Sequence, residues 1–206
     1  MISESRKWIS AEGECPRGAF PVHWYDKPES HQPPDAHRPS PNDSMFSGDQ
    51  IATLFTELGI THVVTIPDST LGQWDRALDD SASISVVRVC REGEAWEVAA
   101  GLYLGGATPI VMIQCTGLFE SGDALRNVLH DWKLPIFSLI GYRSYLSQDT
   151  IPGDSCLIFT EPILDAWRID YRLITESGQF AAIREHYVTC RDAAKPGTVL
   201  IAEGKA

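Results

Sequence analysis

The sequence is short of the signals that identify most enzyme and binding classes. No G-x-G-x-x-G follows a strand and no G-x-x-x-x-G-K occurs, so a nicotinamide-type Rossmann site and a P-loop are excluded. A G-x-S-x-G nucleophile elbow is missing too. The five cysteines, Cys15, Cys90, Cys115, Cys156 and Cys190, are scattered, odd in number and without a C-x-x-C pair, which argues against a disulfide framework or a zinc site. Buried free thiols in a reducing compartment are the expectation. Basic residues are scarce: 17 Lys and Arg face 28 Asp and Glu, a formal charge of −11, so no basic stripe exists to neutralise nucleic-acid phosphates. No apolar run is long enough to cross a bilayer, and the start lacks a basic region followed by an apolar one, so a cytoplasmic protein off the membrane is expected.

What is present suits a soluble globular domain. The 206 residues and 43% apolar content give enough core to fold without staples. Residues 1–45 stand apart, because Pro16, Pro21, Pro28, Pro33, Pro34, Pro39 and Pro41 recur among polar residues without a period that builds a packed face. They read as a mobile extension, with Trp8, Phe20, Trp24 and Tyr25 available to dock on a partner. His23, His31 and His37 lack metal-ligand spacing, and Met45 offers a second translation start.

An ordered domain is expected over 46–206. Ser47 or Asp49 caps a helix that places Ile51, Leu54, Phe55 and Leu58 on one face and closes at Gly59. Thr61 to Ile66 reads as a strand, Pro67-Asp68-Ser69 as a turn, and Ser69 or Thr70 starts a helix through Trp74 and Leu78. Val86, Val87 and Val89 suit a buried strand, followed by a helix with Ala95, Val98, Ala99 and Leu102 inward and a strand at Pro109 to Gln114. Further along come a helix at Ser121 to His130, a strand at Leu134 to Ile140, and a long loop at Gly141 to Ser155. A helix at Pro162 to Trp167, a strand at Tyr171 to Ile174, a helix at Gln179 to Ala194 and a strand at Thr198 to Ala202 close the chain. This alternation predicts an α/β fold: a three-layer, doubly wound sheet, mainly parallel.

Ligands in such sheets bind beyond the carboxyl ends of the strands, which directs attention to Glu92, where strand turns into helix. Acidic residues also suit a first helical turn for their effect on the dipole alone. Glu94 and Glu97 read as solvated surface acids and Trp96 as core.

Glu92, with Gly101 nine residues later and Ala99 and Ala100 between, resembles the pyrimidine-binding domain of thiamine diphosphate (ThDP) enzymes. Ile66-Pro67-Asp68-Ser69, Ile113 to Leu118, Leu139 to Arg143, Glu161 to Ala166 and Ile169 to Tyr171 are similar to phosphonopyruvate decarboxylases and the α subunit of sulfopyruvate decarboxylase. The resemblance covers about residues 47–203 and implies the following expectations. Glu92 is catalytic, its carboxylate hydrogen-bonding the cofactor's pyrimidine ring, with apolar surroundings raising its pKa against the pull of the helix dipole. Thr116, Gly117 and Leu118 let backbone approach that ring, or else simply end a strand. Ser69 faces the substrate, and Arg143 holds its anionic end, with Arg126, Lys133 or a partner's cation as alternatives.

No G-D-G motif, which binds Mg²⁺ and diphosphate in these enzymes, occurs here, and Gly48-Asp49-Gln50, Gly122-Asp123-Ala124 and Gly153-Asp154-Ser155 lack its context. The resemblance therefore implies a separate diphosphate-binding β subunit, a hetero-oligomer with ThDP and Mg²⁺ across the interface, and no metal ligands of this chain's own. The implied reaction is decarboxylation of a small anionic 2-oxo acid such as phosphonopyruvate or sulfopyruvate. A ThDP-dependent carboligase subunit and a non-catalytic scaffold or regulatory subunit are the alternatives. Where the family reads S-G-L-G-N, this chain has Thr116-Gly117-Leu118-Phe119-Glu120, and the family's histidine–glutamine segment after Arg143 is missing, so a bulkier or less anionic substrate also stays open.

Overall fold

A computed structural model of the chain describes residues 45–68 and 71–204. The expected extension over 1–45 therefore lies outside the described residues, apart from Met45, and so does Ser69.

The six strands form one sheet in the order β2-β1-β3-β4-β6-β5, and every pairing is parallel. They are β1 (His62–Thr65), β2 (Ser85–Arg88), β3 (Pro109–Gln114), β4 (Phe137–Tyr142), β5 (Asp170–Ile174) and β6 (Gly197–Ala202). The helices are α1 (Gly48–Glu57), α2 (Asp75–Asp79), α3 (Glu92–Leu104), α4 (Cys115–Glu120), α5 (Gly122–Arg126), α6 (Ser155–Ala166) and α7 (Phe180–Asp192). Parallel strands require crossovers, and the crossovers cover both faces, giving the three-layer architecture that the alternating pattern predicts.

Period-two alternation divides the core between the faces. Ile110, Met112, Leu139, Val199 and Ile201 point towards α1 and α7, where they meet Leu54, Phe55, Ile183 and Tyr187. Val111, Ile113, Ile140 and Leu200 point the other way, against Ala95, Trp96 and Ala99 of α3, Leu125 of α5 and Leu164 of α6. Trp96 is core, as expected, and Glu94 and Glu97 are exposed. Between β4 and β6 the buried hydroxyls of Ser138 and Thr198 satisfy each other at 2.7 Å.

Helix α1 begins as its sequence dictates. The Ser47 Oγ accepts the Gln50 N–H at 3.2 Å, and the Ser47 N–H donates to the Gln50 side chain at 2.9 Å, a complete capping box. Trp74, in a short 3₁₀ turn ahead of α2, donates its indole N–H to the Phe46 carbonyl at 2.9 Å.

Four local expectations need correction. Val86 and Val87 are only half-buried, because β2 is an edge strand with a single neighbour. Arg88 holds that edge to α2 through two hydrogen bonds with Asp79, at 3.1 and 2.7 Å. The fourth strand begins at Phe137, not Leu134, where its ladder with Gly197 starts, and it continues through Gly141 and Tyr142. Helix α6 begins at Ser155, capped by the Asp154 carboxylate on the Cys156 N–H at 2.9 Å, and carries Pro162 inside it. Pro162 lies on the exposed side, where a carbonyl that loses its helical donor meets water. Lastly, helical structure after β3 begins at Cys115, ahead of the expected Ser121; Ser121 marks a bend instead, its Oγ donating to the Gly117 carbonyl at 2.6 Å. Among the described residues no helix is long and apolar enough to cross a membrane.

Candidate functional site

Parallel pairing brings the carboxyl ends of all six strands to one edge of the sheet, and Glu92, Thr116, Gly117, Leu118 and Arg143 all follow strands at that edge. Glu92 is the first residue of α3. That helix has no side-chain cap from its own N-cap residue, Arg91, whose backbone is extended. Glu94, from within α3, accepts the Cys90 N–H ahead of the cap at 3.0 Å, and one orphan N–H of the helix is served from another element: Glu120, at the end of α4, accepts the Gly93 N–H at 2.7 Å. The other Glu120 oxygen accepts from the Arg91 guanidinium, through Nε at 2.9 Å and through a second N–H. The Gly93 N–H and then Arg91 hold the Glu120 carboxyl below the usual glutamate range. Arg91 and Glu120 thus tie the head of α3 to the end of α4.

The Glu92 side chain crosses to the first turn of α4 and lies against Gly117. A Cβ on Gly117 would fall 2.3 Å from Glu92 Cγ and 2.9 Å from its carboxyl carbon, so only glycine admits this path. Gly117 is buried and Glu92 half-buried, and among the described residues no hydrogen bond engages the Glu92 carboxylate. Unlike Glu120, it is committed to no partner at an edge where ligands bind in open sheets.

The neighbouring residues differ in position. Thr116 is exposed and donates to the Gln114 side chain at 3.2 Å, whereas Leu118 is 1% exposed and belongs to the core. All three of residues 116–118 sit in α4, not in an open turn. Gly101, on α3, faces open space and is not a point of close approach. Asp68 accepts the Leu71 N–H at 3.0 Å and starts the 3₁₀ turn that follows.

Arg143 follows β4. Its guanidinium stands 3.7 Å from Asp154, an ion pair without hydrogen-bond geometry. Burial pushes the Asp154 carboxyl up, but the Ser144 hydroxyl, the Cys156 N–H and the Arg143 charge outweigh it and leave the acid below its ordinary range. Arg126 is already engaged by Asp123, Asp131 and Asn127, and Lys133 is exposed in the left-handed region at φ 55°. Cys115 and Cys156 are both buried, and burial raises both thiols.

Sequence reasoning singled out Glu92 but missed Arg91, and it read Glu120 only as a departure in charge. The available signal was the bare head of α3: with Arg91 at the N-cap, a carboxylate from another element has to serve it.

No protein-family model matches the chain. Sulfopyruvate decarboxylase subunit alpha of Methanococcus maripaludis is 26% identical over 127 residues, 62% of this chain and 76% of that protein. Phosphonopyruvate decarboxylase of Streptomyces hygroscopicus is 27% identical over 151 residues, 72% of this chain and 37% of that protein. Phosphonopyruvate decarboxylase of Streptomyces viridochromogenes is 30% identical over 135 residues, 65% of this chain and 34% of that protein. These proteins are homologues at modest identity, consistent with the ThDP-dependent family. The chain aligns with most of an α subunit but only about a third of each phosphonopyruvate enzyme.

Proposed function

We propose that this chain is the pyrimidine-binding α subunit of a split ThDP-dependent decarboxylase of a 3-substituted pyruvate. The observation that carries this reading is the Glu92 carboxylate: it heads α3, rests on Gly117, and has no hydrogen-bond partner among the described residues.

The residues fit one edge of an aminopyrimidine. Glu92 offers an oxygen to a weakly basic ring nitrogen, and Gly117 removes the side chain that would otherwise block the carboxylate. No G-D-G motif occurs in the sequence, so Mg²⁺ and the diphosphate are assigned to a partner β subunit. The naming of one homologue as subunit alpha supports such a partner.

When bound, ThDP supplies the electron sink that loss of carbon dioxide from a 2-oxo acid requires. The role of this chain is to hold and share a proton at the Glu92 carboxylate, next to the ring nitrogen. The Arg91–Glu120 pair fixes the head of α3 and hence the direction from which Glu92 approaches. Thr116 and Gly117 present the backbone beside it. Arg143 takes the distal anion of the substrate, since a guanidinium with a single loose contact to Asp154 keeps donors for a sulfonate or phosphonate. Ser69, outside the described residues, keeps the substrate role that the resemblance implies.

Reconstitution with the product of a neighbouring reading frame that carries a G-D-G motif tests this. Sulfopyruvate or phosphonopyruvate should release carbon dioxide and the corresponding aldehyde only when both chains, ThDP and Mg²⁺ are present. The isolated chain should show little affinity for ThDP. A hydroxyketone product, or no turnover of either acid by the pair, would contradict the decarboxylase assignment.

A further inference from the structure

Beyond β4 the chain sets a second charged side chain beside Arg143, and the proposed chemistry gives it no task. Asp154 is the N-cap of α6, and its side chain is 13% exposed. Both of its carboxylate oxygens are held: Oδ1 accepts the Cys156 N–H at 2.9 Å, and Oδ2 accepts the Ser144 hydroxyl at 2.7 Å. Oδ2 is also the atom that faces the Arg143 guanidinium, at 3.7 Å.

Holding it there costs backbone energy. Ser144 is buried and sits in the left-handed region at φ 67°, a conformation that glycine would adopt without strain. Serine at that position keeps the hydroxyl that fixes Oδ2, and the Ser144 N–H is tied in turn to the Gly204 carbonyl at 3.3 Å. Capping α6 needs only Oδ1. It leaves unexplained a second oxygen fixed next to a guanidinium.

Among the described residues, positive charge is scarce at this edge of the sheet. Arg88 and Arg91, at the end of β2, are taken by Asp79 and Glu120. The Glu203 carboxylate, after β6, lies over Gly141, where a Cβ would fall 2.4 Å from its Oε1. An anion at Arg143 therefore meets one guanidinium with a fixed negative charge 3.7 Å from it. Its energy in that field scales with its charge, whereas the cost of taking it out of water scales with the square of the charge. A group with two charges thus meets about twice the repulsion from Asp154, and about four times the desolvation cost, of a group with one.

We propose that Asp154 is a specificity-determining residue, whose carboxylate beside Arg143 favours substrates with a singly charged distal group, as in sulfopyruvate, over those with a doubly charged one, as in phosphonopyruvate. This rests on the substrate role of Arg143 given above. A sulfonate carries one charge throughout the working range, and a phosphonate carries about two on the alkaline side of neutrality. Burial pushes the Asp154 carboxyl up, but the Ser144 hydroxyl, the Cys156 N–H and the Arg143 charge outweigh it, so the acid is ionised whenever substrate arrives.

Asp154→Asn removes the charge and keeps the side-chain size and an acceptor for the Cys156 N–H; Asp154→Ser keeps a cap of different shape. In the reconstituted complex with ThDP and Mg²⁺, at about pH 8, kcat/KM is measured for both acids. The parent should favour sulfopyruvate. In both variants the ratio of kcat/KM for phosphonopyruvate to that for sulfopyruvate should rise about tenfold, through KM. A merely loosened helix would lower both acids alike and leave the ratio where it was. A parent that favours phosphonopyruvate, or an unchanged ratio in the variants, would overturn the role of Asp154 and leave the decarboxylase reading standing, whereas turnover of neither acid by the parent complex would overturn both.

Discussion

Glu120 accepts the backbone N–H of Gly93 at 2.7 Å, so the last residue of α4 caps the helix that Glu92 heads. Glu120→Ala removes the cap and the Arg91 contact. Because Arg91 is largely exposed, the loss should be that of a helix cap, about 1 kcal/mol, with little added by the ion pair. The carboxyl is held below its unfolded value, so its contribution is present above the unfolded pKa and fades as pH falls through the folded one. Denaturation of both forms should show a constant gap near neutrality that closes below about pH 4.

The contact between Glu92 and Gly117 can be isolated by a double-mutant cycle. Gly117→Ala alone should cost about 1–3 kcal/mol through overpacking, since the new methyl meets Glu92 Cγ. Combined with Glu92→Ala, the same change should become neutral or stabilising by up to about 1 kcal/mol, the helix-propensity gain of alanine over glycine. A cost that persists in the double variant would mean that the glycine serves something other than the path of Glu92.

The thiols should divide sharply in reactivity. Cys90 is exposed, which corrects the expectation of uniformly buried cysteines. Burial pushes Cys156 up to about 12, with Cys115 adding to the effect, and it raises Cys115 as well. Alkylation near neutral pH should therefore label Cys90 in the native protein and reach Cys115 and Cys156 only after unfolding. Peptide mapping before and after denaturant reads the difference.

Ser138 and Thr198 should behave as a unit. Ser138→Ala strands a buried hydroxyl and should cost about 1–3 kcal/mol, whereas Ser138→Ala with Thr198→Val should cost far less than the sum of the two single changes. Urea midpoints of the four forms measure the coupling.

Much of this was legible in the sequence because local chemistry and tertiary placement agree. The capping box of Ser47 and Gln50 lies within four residues, and the apolar run Pro109 to Gln114 is bounded as observed. Illegible were features decided by distant partners. Whether Val86 and Val87 are covered depends on strand order, not on their own character. Pro162 suggested a helix start where the cap at Asp154 sets an earlier one. Likewise, Glu120 could be recognised as an unusual charge, but its acceptance of the Gly93 N–H needed the packing of α4 against α3.

The most direct test is turnover of the reconstituted complex carrying Glu92→Gln. Glutamine keeps the size and the fit over Gly117 but cannot share a proton with a ring nitrogen. With sulfopyruvate or phosphonopyruvate, saturating ThDP and Mg²⁺, kcat should fall by about 10²-fold or more, the scale of positioned proton transfer, while the melting temperature stays that of the parent. Undiminished kcat in that complex would contradict a catalytic Glu92.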